Sequence, residues 1–444
     1  MNPAKLSIDA QFDICQRCHL QGNTILKEGK SFYDFKPGMK LSDYMTVFLP
    51  KYKNADDKFI MASHADRLKQ SQCFIKSMGT STGSATKNKL KPYKDAMTCV
   101  TCHNPHVSVR ETNPNVFNDA CNSCHNENGK SKLTCSDEKV KKMPIVIQSH
   151  SSPSIYSSAN CVSCHMPKSG SIDIPHVTVH DHYIRKPITK KYKDGIKEFI
   201  GLYAINEKNP SAYTKAKAYI NQYEKFEGKL YCLDSAAFYL KDKTESDLKN
   251  NIDLLIQLYF NKNDFNKLAG YVDKVTDAYL INTKLIKKSY SNDDAWTCYR
   301  IGEAFYNLGN IQRAITYYKK SNDLAPYVLD FKNKYGAALA ANNLLPDADK
   351  VLTEILKENP KHVSALTNLG FVKLREGNVK EAELLYFKAL SLDPDYEALL
   401  LNIAGLYAYK KDFKQAETYL NRLLKHKPNN AQAKQALQQI KQLN

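Results

Sequence analysis

Four short motifs near the start of the chain combine two cysteines and a histidine in one spacing, Cys-x-x-Cys-His. They are Cys15, Cys18 and His19; Cys99, Cys102 and His103; Cys121, Cys124 and His125; and Cys161, Cys164 and His165. This spacing is the attachment signature of c-type haem, in which two thiols form thioether bonds to the porphyrin and the histidine binds the iron. Four copies predict four covalently attached haem c groups, with these four histidines as proximal iron ligands.

Zinc is the main alternative chemistry for Cys-x-x-Cys pairs. Zinc sites do not need a histidine directly after the second cysteine, whereas here one follows in every copy. The motifs use eight of the twelve cysteines, which leaves Cys73, Cys135, Cys232 and Cys298. One expectation is a disulfide between Cys73 and Cys135, because both fall within the haem region. The other is that all four are buried thiols.

Six further histidines are candidates for the second axial position on the irons: His64, His106, His150, His176, His180 and His182. His106 closely follows His103 in the chain, so the two cannot reach opposite faces of one porphyrin. If His106 binds iron, it therefore binds a neighbouring haem and brings two haems into contact. The alternative is a surface or helix-capping histidine. We expect the cluster around His180 to supply one ligand, while its other members donate hydrogen bonds or handle protons.

The ligands of the irons decide between electron transfer and catalysis. Two histidines on one iron leave no vacant position for a substrate, so the first interpretation is a non-catalytic electron carrier. The competing interpretation is an oxidoreductase acting on a small nitrogen or sulfur oxyanion at one open haem, with His180, Asp181 or His182 as proton donors. A third interpretation is a repeat scaffold in which the haems are structural.

A constant period runs through the C-terminal part of the chain. The residues that recur with it are Gly302, Gly336, Gly370 and Ala404; Ala314, Ala348, Ala382 and Ala416; and Pro326, Pro360, Pro394 and Pro428. At these positions a tetratricopeptide repeat needs small side chains for close helix packing and a proline at the turn into the next repeat. Four repeats are predicted, followed by the polar capping helix that a solenoid end requires.

The predicted fold class is all-α, with a loop-rich multihaem cytochrome c domain followed by a tetratricopeptide-repeat α-solenoid. The predicted boundaries are 1–190 for the haem domain, 191–293 for a helical connector with degenerate repeat-like helices, 294–430 for the four repeats and 431–444 for the capping helix. The haem domain is too short to bury a large core of side chains, so we expect the porphyrins to supply much of its interior. Almost no sheet is expected there.

Composition and charge indicate which classes of partner and which cellular compartment to expect. The chain has 64 Lys and Arg against 46 Asp and Glu, but the lysines are spread along it without a nucleic-acid-binding motif, which favours solubility and steering toward acidic redox partners. The mean hydropathy of -0.52 and the short apolar runs predict no membrane span. Bacteria attach haem c outside the cytoplasm, so we expect a periplasmic, cell-surface or extracellular protein, although no apolar signal segment precedes Cys15.

Several segments beyond the motifs themselves resemble one family. They are Phe32–Met39, Ser63–Arg67, Cys99–His106, Cys161–Lys168 and His180–His182, and they look like bacterial tetratricopeptide-repeat multihaem cytochromes c. The haem part is similar to the superfamily of the nitrification tetrahaem cytochrome, hydroxylamine oxidoreductase and pentahaem nitrite reductase. Those nitrite reductases carry a lysine in place of one motif histidine, whereas all four motifs here end in histidine. The resemblance therefore implies a cytochrome without ammonia-forming nitrite reduction.

Members of this family often carry a further haem-binding module upstream, which this sequence lacks. Four irons need only four second ligands, so two of the six candidate histidines are surplus. These two would then ligate haems on that upstream segment or on another subunit. Together, the motifs and the resemblance predict an exported cytochrome that carries electrons along four closely spaced, mostly bis-histidine haems. The repeats would dock a redox partner protein or a neighbouring copy of the chain, and head-to-tail self-assembly would give a filament.

Overall fold

A computed structural model describes residues 3–19, 22–53, 63–78, 96–125, 145–147, 154–156, 161–170, 178–186, 198–240, 244–286 and 292–443. The chain divides into two compact units, Met1–Tyr239 and Leu240–Asn444. Within the described ranges, no helix is long and apolar enough to cross a membrane.

The helices of the first unit are mostly short. Its described part contains α1 (Ile8–His19), α2 (His64–Gln70), α3 (Gln72–Ser77), α4 (Cys99–Cys102), α5 (Asn115–Asn122), α6 (Cys161–His165), α7 (Ala212–Gln222) and α8 (Leu230–Tyr239). Single turns of other helix types occur at Pro3–Lys5, Leu41–Asp43 and Tyr223–Glu227. Ser71 separates α2 from α3, because its hydroxyl donates to the Leu68 carbonyl and accepts from the Phe74 amide. This hydroxyl closes one helix and caps the next.

Strands also run through the first unit. They are β1 (Asn23–Leu26), β2 (Met45–Tyr52), β3 (Ile145–Ile147), β4 (Ser154–Tyr156), β5 (Lys168–Gly170), β6 (Thr178–His180) and β7 (Phe199–Ala204). An antiparallel sheet has the order β1-β2-β7, with Phe48 opposite both Asn23 and Ala204. The pairs β3–β4 and β5–β6 form separate two-stranded sheets. The expectation of almost no sheet in this region was wrong, since β2 is rich in the apolar residues that favour strands.

The strand β7 belongs to the first unit, although it lies beyond the predicted boundary of the haem domain. It pairs with β2, and α7 packs on the same sheet, where Ala218 is buried with Ile25 and Phe48. The buried Asn23 side chain ties this helix further, since its amide nitrogen donates to the Ala218 carbonyl at 2.6 Å. Residues 199–239 therefore belong to the first unit, and the predicted division near residue 190 is replaced by one between Tyr239 and Leu240.

The second unit is built from helices throughout its described part. They are α9 (Glu245–Asn261), α10 (Phe265–Val275), α11 (Asp277–Tyr279), α12 (Asp293–Asn307), α13 (Ile311–Leu324), α14 (Leu329–Ala341), α15 (Leu345–Glu358), α16 (Val363–Arg375), α17 (Val379–Leu392), α18 (Glu397–Tyr409), α19 (Phe413–His426) and α20 (Ala431–Leu443), with a π-helical turn at Leu280–Lys284. From α12 to α19 they form four consecutive helix pairs.

Close contact inside each pair explains the period of small residues. A Cβ added at Gly302 would lie 2.7 Å from the Tyr318 ring, and one added at Gly370 would lie 2.5 Å from the Tyr386 ring. The four periodic alanines are fully buried. These contacts leave no room for larger side chains, which confirms the predicted repeats.

The second helix of a repeat begins at a recurring polar cap. Asn310, Asn378 and Asp412 occupy one repeat position, and the side-chain oxygen of each accepts a hydrogen bond from the backbone amide three residues later. Leu344 takes this position in the second repeat, where Pro346 instead stands in the first turn of α15. After the last repeat, α20 buries Ala433 and Ile440 against α18 and α19.

Candidate functional site

All four Cys-x-x-Cys-His motifs adopt a helical turn. The first ends α1, the second is α4 followed by His103, the third ends α5 and the following turn, and the fourth is α6. In the second and third motifs, the histidine amide donates to the carbonyl of the first cysteine, at 2.9 Å in both. Residues three apart on a helix lie on one face, so the two thiols of each motif point to the same side.

The motif thiols are chemically available for thioether formation. None of the eight cysteines is in a disulfide, and each is at least partly exposed. Cys73 is likewise outside any disulfide. Its predicted partner, Cys135, lies outside the described residues, so that pairing stays a prediction.

The structure brings the motifs together in two pairs. The thiols of Cys15 and Cys99 share a hydrogen bond, and so do those of Cys121 and Cys161. These bonds lower the pKa of Cys15 and of Cys161 to about 7 and, together with burial, raise the pKa of Cys99 and of Cys121. One sulfur of each pair therefore carries thiolate character near neutral pH, which makes it the more reactive of the two.

Four of the predicted iron ligands come together from four separate segments. The ring centres of His19 and His64 are 6.2 Å apart, those of His103 and His182 are 6.2 Å apart, and those of His64 and His182 are 4.7 Å apart. Two imidazoles on opposite sides of one metal ion, with metal–nitrogen bonds of about 2 Å, have ring centres about 6 Å apart. The first two pairs, each a motif histidine with a candidate second ligand, have this spacing.

Backbone carbonyls orient three histidines of the same region. Nδ1 lies 2.8 Å from the Arg185 carbonyl in His165, 2.7 Å from the Met166 carbonyl in His180, and 2.9 Å from the His180 carbonyl in His182. Such a bond holds the proton on Nδ1 and leaves Nε2 with its lone pair. These three rings therefore present the nitrogen that binds a metal.

The environment keeps two histidines neutral. Burial, together with the nearby His64, lowers the pKa of His182 to about 4. Burial also lowers the pKa of His103, again with contributions from His19 and His64. Only neutral imidazole binds a metal ion, so both rings are in the binding form at neutral pH.

A buried ion pair between Arg67 and Asp181 fixes the segment that carries His182. The role of Arg67 was not predicted from the sequence. Its guanidinium binds both carboxylate oxygens of Asp181, at 2.8 and 2.6 Å, and the Tyr183 amide donates to the same carboxylate. The guanidinium groups of Arg67 and Arg185 both lie over the Tyr183 ring, 4.9 and 4.6 Å from its centre. Asp181 was considered as a proton donor, but here both of its oxygens accept hydrogen bonds. The only sequence signal was the placement of Arg67 and Asp181 beside His64 and His182.

The remaining predicted site residues are not part of this cluster. His106 and His125 are exposed. The antiparallel pairing of β5 with β6 places Lys168 opposite His180, so the segments that carry His165 and His180 lie side by side. His150 and His176 lie outside the described residues.

Family models match residues of the second unit, and known proteins are similar to part of the chain. Three family models, each described as tetratricopeptide repeat, match residues 297–327, 335–397 and 373–440. Human protein O-mannosyl-transferase TMTC3 is 27% identical over 181 residues, which are 39% of this chain and 19% of that protein. A probable UDP-N-acetylglucosamine–peptide N-acetylglucosaminyltransferase SPINDLY from Hordeum vulgare is 41% identical over 63 residues, 14% of this chain and 7% of that protein. The chain thus spans less than a fifth of these two relatives.

Solved structures are also similar to part of the chain. TTC0263, a thermophilic tetratricopeptide-repeat protein in Thermus thermophilus, is 19% identical, with a TM-score of 0.35 over 44% of this chain and 98% of that one. MamA from Desulfovibrio magneticus RS-1 is also 19% identical, with a TM-score of 0.32 over 42% of this chain and 98% of that one. From the family models and the packing of its helix pairs, the segment between residues 297 and 440 consists of tetratricopeptide repeats.

Proposed function

We propose that this chain is an exported multihaem c-type cytochrome that transfers electrons, and that its repeats dock a protein partner. The observation that carries the proposal is the meeting of two motif histidines with two further histidines at the spacing of axial ligands, His19 with His64 and His103 with His182. The placement of the two cysteines of each motif on a helical turn supports it. Haem c bound there would supply a reversible one-electron iron couple.

The chain's own residues would hold the group in three ways. The two thiols of each motif would form the covalent links from one face of a helical turn. His19, His103, His125 and His165 would bind from the proximal side, and His64 and His182 are the best supported ligands on the distal side. Two histidines per iron would close both axial positions to substrates, which favours electron transfer over catalysis.

The pairing of motifs supports electron transfer between neighbouring groups. Because Cys15 contacts Cys99 and Cys121 contacts Cys161, groups attached to motifs one and two, and to motifs three and four, would lie side by side. Such proximity permits fast electron exchange. The formal charge of +18 would steer the protein toward acidic redox partners.

The test is to express the full chain in a bacterial periplasm with the haem c maturation system and to determine its mass and haem content. The expected result is four covalent haems per chain, with low-spin electron paramagnetic resonance signals that added nitrite or hydroxylamine leaves unchanged. A purified chain with no covalent haem would reject the cytochrome function. One high-spin haem that shifts with these ligands would instead favour the oxidoreductase.

A further inference from the structure

The first cysteines of the four motifs contact each other across motifs. The thiols of Cys15 and Cys99 share one hydrogen bond, and those of Cys121 and Cys161 share another. In each pair the two cysteines come from separate helical turns that are distant in the sequence. Two sulfurs that share a hydrogen bond need only a small further approach to reach the S–S bond length of about 2 Å. Each pair is therefore placed to form a disulfide.

Apolar packing holds the first pair in place. Ile8 and Phe12 of α1 are buried, and Cys99, the first residue of α4, packs against the same cluster. The Phe12 ring also meets the Phe74 ring of α3 edge-on, with the ring centres 5.5 Å apart. The helices α1 and α4 are thus held against each other by a shared core. The contact of Cys15 with Cys99 follows from this core and not from the sulfurs alone.

A buried amide side chain holds the second pair. The side-chain oxygen of Asn118 accepts a hydrogen bond from the backbone amide of Cys161 at 3.1 Å, and Asn118 is only 1% exposed. This bond joins α5, which also carries Cys121, to the first residue of α6. A buried hydrogen bond is costly to break, so it keeps the two cysteines close. The fold therefore positions both pairs by contacts other than those of the sulfurs.

One thiol of each pair is suited to attack a disulfide. The pKa of Cys15 is lowered to about 7 because the Cys99 thiol donates a hydrogen bond to it, and Cys121 has the same effect on Cys161. A thiol whose pKa is near the ambient pH is the most effective nucleophile in thiol–disulfide exchange. Both pairs therefore combine close contact with reactivity at neutral pH.

Disulfides inside a motif are the alternative. Two cysteines three positions apart in a helical turn lie on one face, and Cys-x-x-Cys pairs of oxidoreductases do form disulfides. In this chain, however, each first cysteine contacts a thiol of another motif. The second cysteines Cys124 and Cys164 lie beside hydroxyls instead, with their sulfurs 3.9 and 4.0 Å from the oxygens of Ser123 and Ser163. These contacts favour bonds across motifs.

We propose that the first cysteines form two disulfides across motifs in the chain that has not yet received haem, one between Cys15 and Cys99 and one between Cys121 and Cys161. Each bond takes one thiol from each of two motifs, so it prevents complete thioether attachment at both until it is reduced. The two pairs therefore act as a thiol switch on haem attachment. The inference goes beyond the proposed electron transfer, because it concerns the haem-free chain.

The oxidant is a low-molecular-weight disulfide, such as oxidised glutathione. The Cys15 thiolate attacks one sulfur of that disulfide, forms a mixed disulfide and releases one thiolate. Cys99 then loses its proton, attacks the Cys15 sulfur and releases the second thiolate. The two released thiolates take up the two protons that the cysteines lost. Two electrons thus pass from the cysteines to the oxidant, which becomes two thiols, and Cys161 and Cys121 react in the same order.

The test uses the full chain, produced in a bacterial cytoplasm without the haem c maturation system and purified with a reductant. The chain is equilibrated with mixtures of reduced and oxidised glutathione, its free thiols are alkylated, and its tryptic peptides are analysed by mass spectrometry without reduction. Trypsin cuts after Arg17, so Cys15 and Cys18 fall on different peptides. The expected links, each between first cysteines, join peptide 6–17 to 95–110 and peptide 111–130 to 143–168.

Single variants assign each bond. Cys15→Ser should leave Cys99 unlinked, because its partner sulfur is gone. The matched control is Cys18→Ser, which replaces the second cysteine of the same motif and should keep the link between Cys15 and Cys99. The third motif is tested in the same way. Links between the two cysteines of one motif, or free thiols in every glutathione mixture, would overturn the proposal.

Unfolding separates the effect of the fold from that of the sequence. In concentrated urea, links across motifs should become at least about tenfold less abundant at the same glutathione ratio, because closing a long loop between distant cysteines costs entropy. Links inside a motif close a short loop and should replace them. The same pattern of links with and without urea would show that the fold does not select the pairs.

The results also distinguish this inference from the proposed function. A chain that carries four haems after maturation but forms no disulfide across motifs would refute the thiol switch alone. A chain that forms both disulfides but never receives haem would refute the cytochrome function and leave the disulfides standing.

Discussion

The guanidinium of Arg67 binds both carboxylate oxygens of Asp181, and the two side chains are only 6% and 5% exposed. Arg67 is one helical turn after His64 in α2, and Asp181 directly precedes His182. The pair therefore joins the backbone segments of two histidines whose ring centres are 4.7 Å apart. A planar guanidinium with two parallel hydrogen bonds fixes orientation as well as distance.

Asp181→Asn should loosen this connection. Removing one partner of a buried ion pair leaves the other charge uncompensated and costs about 3–5 kcal/mol. Hydrogen exchange followed by mass spectrometry should show lost protection of the α2 amides. Glu198→Gln is the matched control, because Glu198 pairs with Lys53 on the surface of the same unit, and such pairs contribute less than about 1 kcal/mol. Equal protection in Asp181→Asn and the unmodified chain would show that the pair does not hold α2.

Replacing both cysteines of one motif should remove one haem. In Cys99→Ala/Cys102→Ala no thioether bond can form at the second motif, so mass spectrometry should find three covalent haems in place of the proposed four. Cys232→Ala is the control, since Cys232 is buried, outside every motif and in the same unit. If the double variant kept all four haems, the assignment of this motif would be wrong.

His182→Ala should change one iron without changing the number of haems. The loss of one axial imidazole opens a coordination position, so one low-spin signal should be replaced by a high-spin signal in electron paramagnetic resonance. His362→Ala is a suitable comparison, because His362 caps α16 in the second unit. An unaltered spectrum in His182→Ala would assign the distal position of this haem to another residue.

Gly370→Ala should destabilise the repeats. The new methyl group would lie 2.5 Å from the Tyr386 ring, and overpacking of this kind costs about 1–3 kcal/mol. Urea unfolding followed by the fluorescence of Trp296, the single tryptophan, reports on the second unit. Gly405→Ala has open space around it and should instead stabilise the helix by about 0.5–1 kcal/mol. Matching midpoints for the two variants would contradict the role assigned to Gly370.

Features that depend on local or periodic spacing were predictable from the sequence. Each Cys-x-x-Cys-His motif is recognisable from its spacing in any fold, and a constant period specifies repeats that pack only against their neighbours. For that reason the tetratricopeptide repeats could be predicted from glycines, alanines and prolines alone. The four Cys-x-x-Cys-His motifs form helical turns, which bring both thiols of a motif to one face.

The meeting of distant residues, in contrast, became visible only in the folded chain. No spacing in the sequence pairs β2 with β7, since β2 ends at Tyr52 and β7 begins at Phe199, so neither the sheet nor the division after Tyr239 could be predicted. None of the six further histidines could be assigned to a particular motif until the fold brought His64 to His19 and His182 to His103. The ion pair of Arg67 with Asp181 was hidden for the same reason, since its two residues are 114 positions apart. Such contacts depend on how the chain closes its loops, which local residue patterns do not record.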